Sequence, residues 1–148
     1  YTPASGIERF AVGTPPVLSL AALEMGVDLM LETSIAALHE KSLRQFGVFR
    51  DLMQQELGAR GFRLASIEGA GGRGSQISYA HEQGWPIMQA LIARGIIGDF
   101  RSPDIMRFGF TPLYLGFAEL WDAVAILREI MDAGLWDRPE FHKRTKVT

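Results

Sequence analysis

The chain has 148 residues, 47% apolar and 22% charged, and its 15 basic and 17 acidic side chains give a formal net charge of −2. At roughly 100–200 residues per domain this is one domain's worth, and the apolar share is enough to bury a continuous core, which excludes whole-chain disorder. The near-neutral balance carries no electrostatic footprint for phosphate backbones or anionic lipid, so neither nucleic acid nor membrane is an expected partner, although His142-Lys143-Arg144-Thr145-Lys146 is locally basic.

Residues 1–16 are rich in Pro, Gly, Ser and Thr and read as an irregular connecting segment. The chain opens on Tyr1 rather than Met, so it is expected to be part of a longer protein. Thr14 stands directly before Pro15-Pro16, a hydroxyl and two prolines suited to a helix start, and a helical pattern follows to about Leu31. Glu24, Asp28 and Glu32 share one face of it at i, i+4 and i+8, the spacing of a solvated or paired face, and receive no chemistry. The same carboxylates interrupt the most apolar stretch, Val17 to Leu31, and no positive cluster precedes it, so neither a signal nor a transmembrane segment is expected. The chain reads as soluble and cytoplasmic.

Thr33 or Ser34 can cap a second helix, on which Ile35, Leu38, Phe46, Phe49, Met53 and Leu57 form an apolar stripe ending near Gly58 and Gly61. Phe62 to Ile67 and Gln76 to Ala80 read as strands joined by Gly69-Ala70-Gly71-Gly72-Arg73-Gly74-Ser75. Those glycines invite a phosphate-loop reading. A Walker loop ends in Gly-Lys-Ser/Thr and opens a helix, whereas here a strand follows, so a connection between strands is the better reading. Trp85-Pro86 starts a third helix to about Ala93, strands are expected over Ile96 to Phe100 and Ile105 to Phe110, and a last helix carries Leu120, Val124, Leu127 and Met131 from Phe117 to Ala133. The order of elements argues for an α+β layer, a mainly antiparallel sheet covered by helices. In domain terms, residues 17–136 form connecting helices and a small α+β domain, and 137–148 a basic C-terminal tail.

The absence of cysteine removes disulfide scaffolds, thiolate zinc sites and cysteine nucleophiles, and fits a reducing compartment. There is no HExxH, Ser-His-Asp or DxD pattern, and His39, His81 and His142 are widely separated; His39 and His81 read as surface residues. Lys41 lies off its helix's apolar stripe, and Lys143 and Lys146 lie in the basic tail, so no lysine has the setting of a desolvated amine ready for covalent chemistry. No catalytic residue is expected within this chain.

Arg107 asks for an explanation. Strand alternation puts Met106, Phe108 and Phe110 on one face and Ile105, Arg107, Gly109 and Thr111 on the other. The aromatic face suits the core; the other sets a guanidinium beside a glycine, where a ligand could approach the backbone while Arg107 binds its carboxylate through two parallel hydrogen bonds. A structural salt bridge or a solvated edge position is the competing reading. Thr14 is a second candidate, either as an anion-binding corner at a helix start or as a simple cap. Asp99, Arg101 and Asp104 cluster around a turn, as structural or site-rim groups.

Several longer words carry a family resemblance: Gly13-Thr14-Pro15-Pro16-Val17-Leu18-Ser19-Leu20-Ala21-Ala22-Leu23-Glu24, Arg73-Gly74-Ser75, Met88-Gln89-Ala90-Leu91-Ile92-Ala93-Arg94-Gly95, Ile97-Gly98-Asp99-Phe100-Arg101 and Arg107-Phe108-Gly109-Phe110-Thr111-Pro112-Leu113-Tyr114. From about Ile7 to Ala133 the sequence resembles the C-terminal portion of the kynureninases, pyridoxal-phosphate enzymes of the aspartate-aminotransferase fold. The resemblance implies the small C-terminal domain of fold type I, preceded by a connecting helix. It also implies a homodimer with a shared site, and hydrolysis of L-kynurenine or 3-hydroxykynurenine to anthranilate or 3-hydroxyanthranilate and L-alanine, in tryptophan catabolism and NAD biosynthesis. In that family the arginine at the place of Arg107 binds the substrate α-carboxylate. The threonine at the place of Thr14 contacts the cofactor phosphate or the substrate side of the site across a dimer interface, and Gly13 supplies the tight backbone beside it. The cofactor-bearing lysine and most other ligands of pyridoxal 5'-phosphate belong to a larger domain that this chain lacks, so the chain alone is expected to be inactive. Two other readings are a free-standing module that binds a small carboxylate through Arg107, and the small domain of another pyridoxal-phosphate enzyme.

Overall fold

A computed structural model describes residues 2–11, 13–69 and 72–143. Arg144 and Lys146 of the basic tail, and Ala70 and Gly71 of the glycine-rich connection, lie outside the described residues. The chain divides into two compact units, Tyr1–Ile35 and Ala36–Thr148.

The first unit holds a short 3-10 helix, Gly6–Phe10, and helix α1, Val17–Leu31. The expectation that Thr14 caps this helix is corrected: the N-cap is Pro16, with no side-chain cap bond. The reason lies in Pro15-Pro16: with Thr14 as N-cap, Pro15 would have to be the first helical residue, and a residue before proline is sterically pushed out of the helical region. The first intrahelical bond runs from the Leu20 N–H to the Pro16 carbonyl at 3.0 Å.

Helix α2 spans Ile35–Leu57 as its periodicity predicts. Its buried stripe is Ser42, Gln45, Phe46, Phe49, Leu52, Met53 and Leu57, so burial starts near Ser42 and not at Ile35, which is exposed. Two polar residues sit in that stripe, and both are bonded across the fold: Ser42 with Ser75 (Oγ to Oγ, 2.8 Å), and Gln45 Nε2 to the Leu115 carbonyl at 2.8 Å.

The second unit is built on strands β1 (Arg63–Leu64), β2 (Gln76–Ala80), β3 (Asp99–Arg101) and β4 (Ile105–Gly109), in the spatial order β1-β2-β4-β3, every pair antiparallel. Helix α3, Gly84–Ala93, connects β2 to the β3–β4 hairpin, and helix α4, Phe117–Asp132, follows β4. The α+β layer with an antiparallel sheet is thus the observed architecture. A 3-10 turn (Leu135–Asp137) and a short helix α5 (Pro139–His142) come next, and Trp136 and Phe141 pack against the core.

Two strands are shorter than their apolar runs suggested. Past Leu64 the ladder continues for one bond, Ala65 N–H to the Ser78 carbonyl at 2.8 Å; the Ser66 hydroxyl then accepts the Ser78 N–H, so a side chain replaces the backbone and pairing stops. Ile96 and Ile97 close α3 and do not start β3, since the Ile96 N–H returns to the Leu91 carbonyl after Gly95, whose φ of +86° is the usual glycine device for ending a helix.

The core lies between the aromatic sheet face and the helices. Ile77, Tyr79, Met106, Phe108 and Phe110 meet Phe49 and Met53 of α2, Ile87, Met88 and Leu91 of α3, and Leu120, Val124, Leu127 and Ile130 of α4. Phe49 is central, with ring centroids 5.3 Å from both Phe108 and Phe110. On α4, Ile130 takes the fully buried place expected of Met131, which is only partly buried.

Candidate functional site

β4 lies between β2 and β3, so Arg107, at its midpoint, has a strand on either side. The register sets Ser78 of β2 and Asp99 of β3 directly across from it. Since Met106 and Phe108 face the core, Arg107 and its cross-strand neighbours occupy the other, polar face. Gln76 Nε2 donates to the Ser78 hydroxyl at 3.1 Å on the strand beside it.

Three of the singled-out residues come together here. Asp99 Oδ2 accepts from Arg107 Nη2 and is 3.0 Å from Arg101 Nη2, so one carboxylate serves two guanidinium groups. The hydrogen bond from Arg107 holds the Asp99 carboxyl below the usual carboxylate range; burial opposes this, and the positive charges of Arg107 and Arg101 add to it. Asp104 goes elsewhere, to Arg63 of β1 at 3.4 Å.

Arg107 is not satisfied by this partner. Its side chain is 32% exposed, Asp99 engages Nη2, and Nε is buried without a partner among the described residues. A guanidinium carries five N–H donors, so the fork keeps capacity for a planar anion. Two residues along, Gly109 is exposed, and a Cβ built on it would meet nothing within 4 Å. The polar face of β4 thus carries an arginine with donors that Asp99 does not use and an open stretch of backbone two residues along.

The sequence reading missed how the segment after β4 is secured. Lys41 Nζ donates to the Pro112 carbonyl at 2.7 Å and Gln45 holds Leu115, so two polar positions of α2 pin residues 112–115. Arg73, from the glycine-rich connection, lies over the Phe46 ring at 3.4 Å and donates to the Ile67 and Glu68 carbonyls at 3.3 Å each. Such long-range partners have no signature in local spacing. His81, read as a surface residue, is a half-buried structural group: its ring lies 4.5 Å from that of Phe62, Nε2 lies 3.0 Å from the Arg60 carbonyl and Nδ1 accepts the Gln83 N–H.

Within the first unit, Gly13 and Thr14 form an exposed bend, with Gly13 at φ +75° and open space around it. With no side chain capping α1, the Thr14 hydroxyl has no cap bond to make.

A family model, the kynureninase C-terminal domain, matches residues 38–127, more than half of the chain and the whole of the sheet. The chain belongs to the kynureninase C-terminal domain family. The match does not favour a free-standing carboxylate-binding module. Curated relatives extend the likeness over the complete chain: a kynureninase from Pseudomonas fluorescens is 46% identical over 148 residues, and kynureninases from Burkholderia mallei (strain SAVP1) and Burkholderia pseudomallei (strain K96243) are 44% identical over the same length. In each case the match covers all of this chain but 36% of the relative, so the chain spans little more than a third of the curated kynureninases it matches.

Proposed function

We propose that this chain works as the C-terminal part of a kynureninase, hydrolysing L-kynurenine or 3-hydroxykynurenine to anthranilate or 3-hydroxyanthranilate and L-alanine, with Arg107 as the clamp for the substrate α-carboxylate. The observation that carries the site assignment is the unspent guanidinium on the polar face of β4, beside the open backbone of Gly109. Bidentate pairing to a carboxylate fixes the substrate's orientation as well as its affinity, which a point charge does not do.

The residues described here fit pyridoxal 5'-phosphate at its edge only. Lys41, whose ammonium is already bonded to the Pro112 carbonyl, is not a free amine, while Gly13 and Thr14 offer an accessible backbone bend and a hydroxyl. In this reading Gly13 and Thr14 meet the cofactor phosphate or the substrate, and the rest of a longer protein supplies the covalent attachment. When bound, the cofactor supplies the electron sink that lets the bond between the substrate's β and γ carbons break. The contribution of this chain is binding and orientation: Arg107 holds the carboxylate, and the pinned segment 112–115 keeps the end of β4 in place. A homodimer with a shared site is part of the same proposal.

The test is anthranilate release, followed by its fluorescence, from the complete reading-frame product supplied with pyridoxal phosphate and L-kynurenine. Rapid release supports the reading. No release from a protein that carries the cofactor refutes the kynurenine assignment and points to another α-carboxylate substrate.

A further inference from the structure

The salt bridges of the second unit follow a simple pattern with one departure. Arg63 pairs with Asp104, Arg94 with Glu129 and Arg128 with Glu56, each cation with its own acid. Asp99 alone, among the described residues, is shared between two arginines, Arg101 and Arg107. It stands opposite Arg107 in the register of β3 and β4, so its carboxylate reaches the guanidinium from a neighbouring backbone and not from a mobile loop.

Resting on the proposed carboxylate clamp, we propose that Asp99 is its positioning residue: it fixes the guanidinium of Arg107 in the orientation in which a substrate carboxylate meets it, and Arg101 holds Asp99 in turn. A long arginine side chain loses conformational freedom when it binds a ligand, and an arginine already held has less to lose. An acid beside an anion site would ordinarily repel the anion. Here two guanidinium groups share one carboxylate, so the cluster keeps a net positive charge while its central member is held still. The geometry also engages Nη2 alone, leaving other donors of the fork for the ligand.

This gives two opposite expectations for removing the acid. If charge alone mattered, the loss of Asp99 would tighten anion binding; if positioning matters, binding weakens although the cluster becomes more positive. The experiment uses the full-length protein loaded with cofactor, and compares wild type, Asp99→Ala, Asp99→Asn and Arg101→Ala. Its readouts are KM and kcat for L-kynurenine and, independently of turnover, the dissociation constant of the product L-alanine from the cofactor's absorbance. Asp99→Ala is expected to raise KM and the L-alanine constant about tenfold while kcat changes by less than about threefold. Asp99→Asn is expected to fall between it and wild type, because its amide oxygen still accepts from Nη2. Arg101→Ala is expected to show a smaller loss of the same kind.

Unchanged or tighter L-alanine binding in both Asp99 variants overturns the inference, as does a loss confined to kcat. A wild-type protein that binds L-alanine but releases no anthranilate refutes the kynurenine reading, and the alanine titration of the variants still decides the role of Asp99. If Asp99→Ala does not fold, Asp99→Asn carries the comparison.

Discussion

In the proposed clamp, lysine is not an equivalent of Arg107. A lysine at this position would keep the charge but lose the planar fork that serves Asp99 and, in the proposed clamp, a ligand at once. Arg107→Lys is expected to raise KM for L-kynurenine by roughly 5- to 100-fold, about 1–3 kcal/mol, with little change in cofactor absorbance, as steady-state kinetics on the cofactor-loaded protein would show. Gly109 offers a complementary test, because a side chain there points into open space. Gly109→Val should leave the melting temperature unchanged or slightly raised, since β-branched residues suit strands, and yet raise KM by obstructing the ligand's approach. Normal KM in that variant would show that nothing binds against this stretch of backbone. A third residue contributes to alkaline behaviour: burial pushes the Tyr79 phenol up to about 12, with the charge of Arg50 partly opposing it. The unfolded phenol ionises first, so Tyr79's contribution to stability is complete below about pH 10 and is lost as the pH rises towards 12. The difference between wild type and Tyr79→Phe in a pH series of denaturant melts measures it.

Helix α2 is the element that joins core and site, and it does so with polar groups inside an apolar stripe. Gln45 is fully buried, with one amide end bonded to Leu115 and Oε1 without a partner among the described residues. Gln45→Ala is expected to cost about 2–4 kcal/mol, from the lost bond and the void. Gln45→Leu fills the void and removes the unpaired oxygen, so it should cost less than half as much; urea melts of the two variants give the comparison. Most elements were legible in sequence because their periodicity is local: α2, β2 and α4 fall within a residue of their expected ends. The misplaced ends have local causes that only the folded chain reveals, such as Ser66 taking over a ladder bond from the backbone and Ile96 folding back on Leu91. Arg107 was legible as a candidate because alternation isolates it on the polar face. Its partner was not, because Asp99 lies near Arg101 and Asp104 in sequence, and only the register of β3 against β4 sets it opposite Arg107.

Over the molecule as a whole, the two units differ in how they treat apolar surface. The second unit buries its aromatic and aliphatic residues, whereas α1 has no buried residue and exposes Val17, Leu18, Leu23, Met25 and Leu31 around its circumference. A helix that exposes this many large apolar side chains, with only Glu24 and Asp28 as charged residues along it, ordinarily packs against another surface, and among the described residues no helix is long and apolar enough to cross a membrane. The isolated chain is therefore expected to self-associate and to bind a hydrophobic dye, and deleting residues 1–34 should abolish most of both effects, as light scattering and dye fluorescence would show. The sheet imposes a different rule on its neighbours. Its outer strands, β1 and β3, are two and three residues long and cover only Tyr79–Ala80 of β2 and Ile105–Arg107 of β4, so each edge of the sheet is short and broken. So little free main chain is a poor template for a foreign strand, and amyloid-like growth or donation of a strand from another chain has almost nothing to zip onto. A partner that meets this sheet is therefore expected to do so through side chains and not by adding a strand.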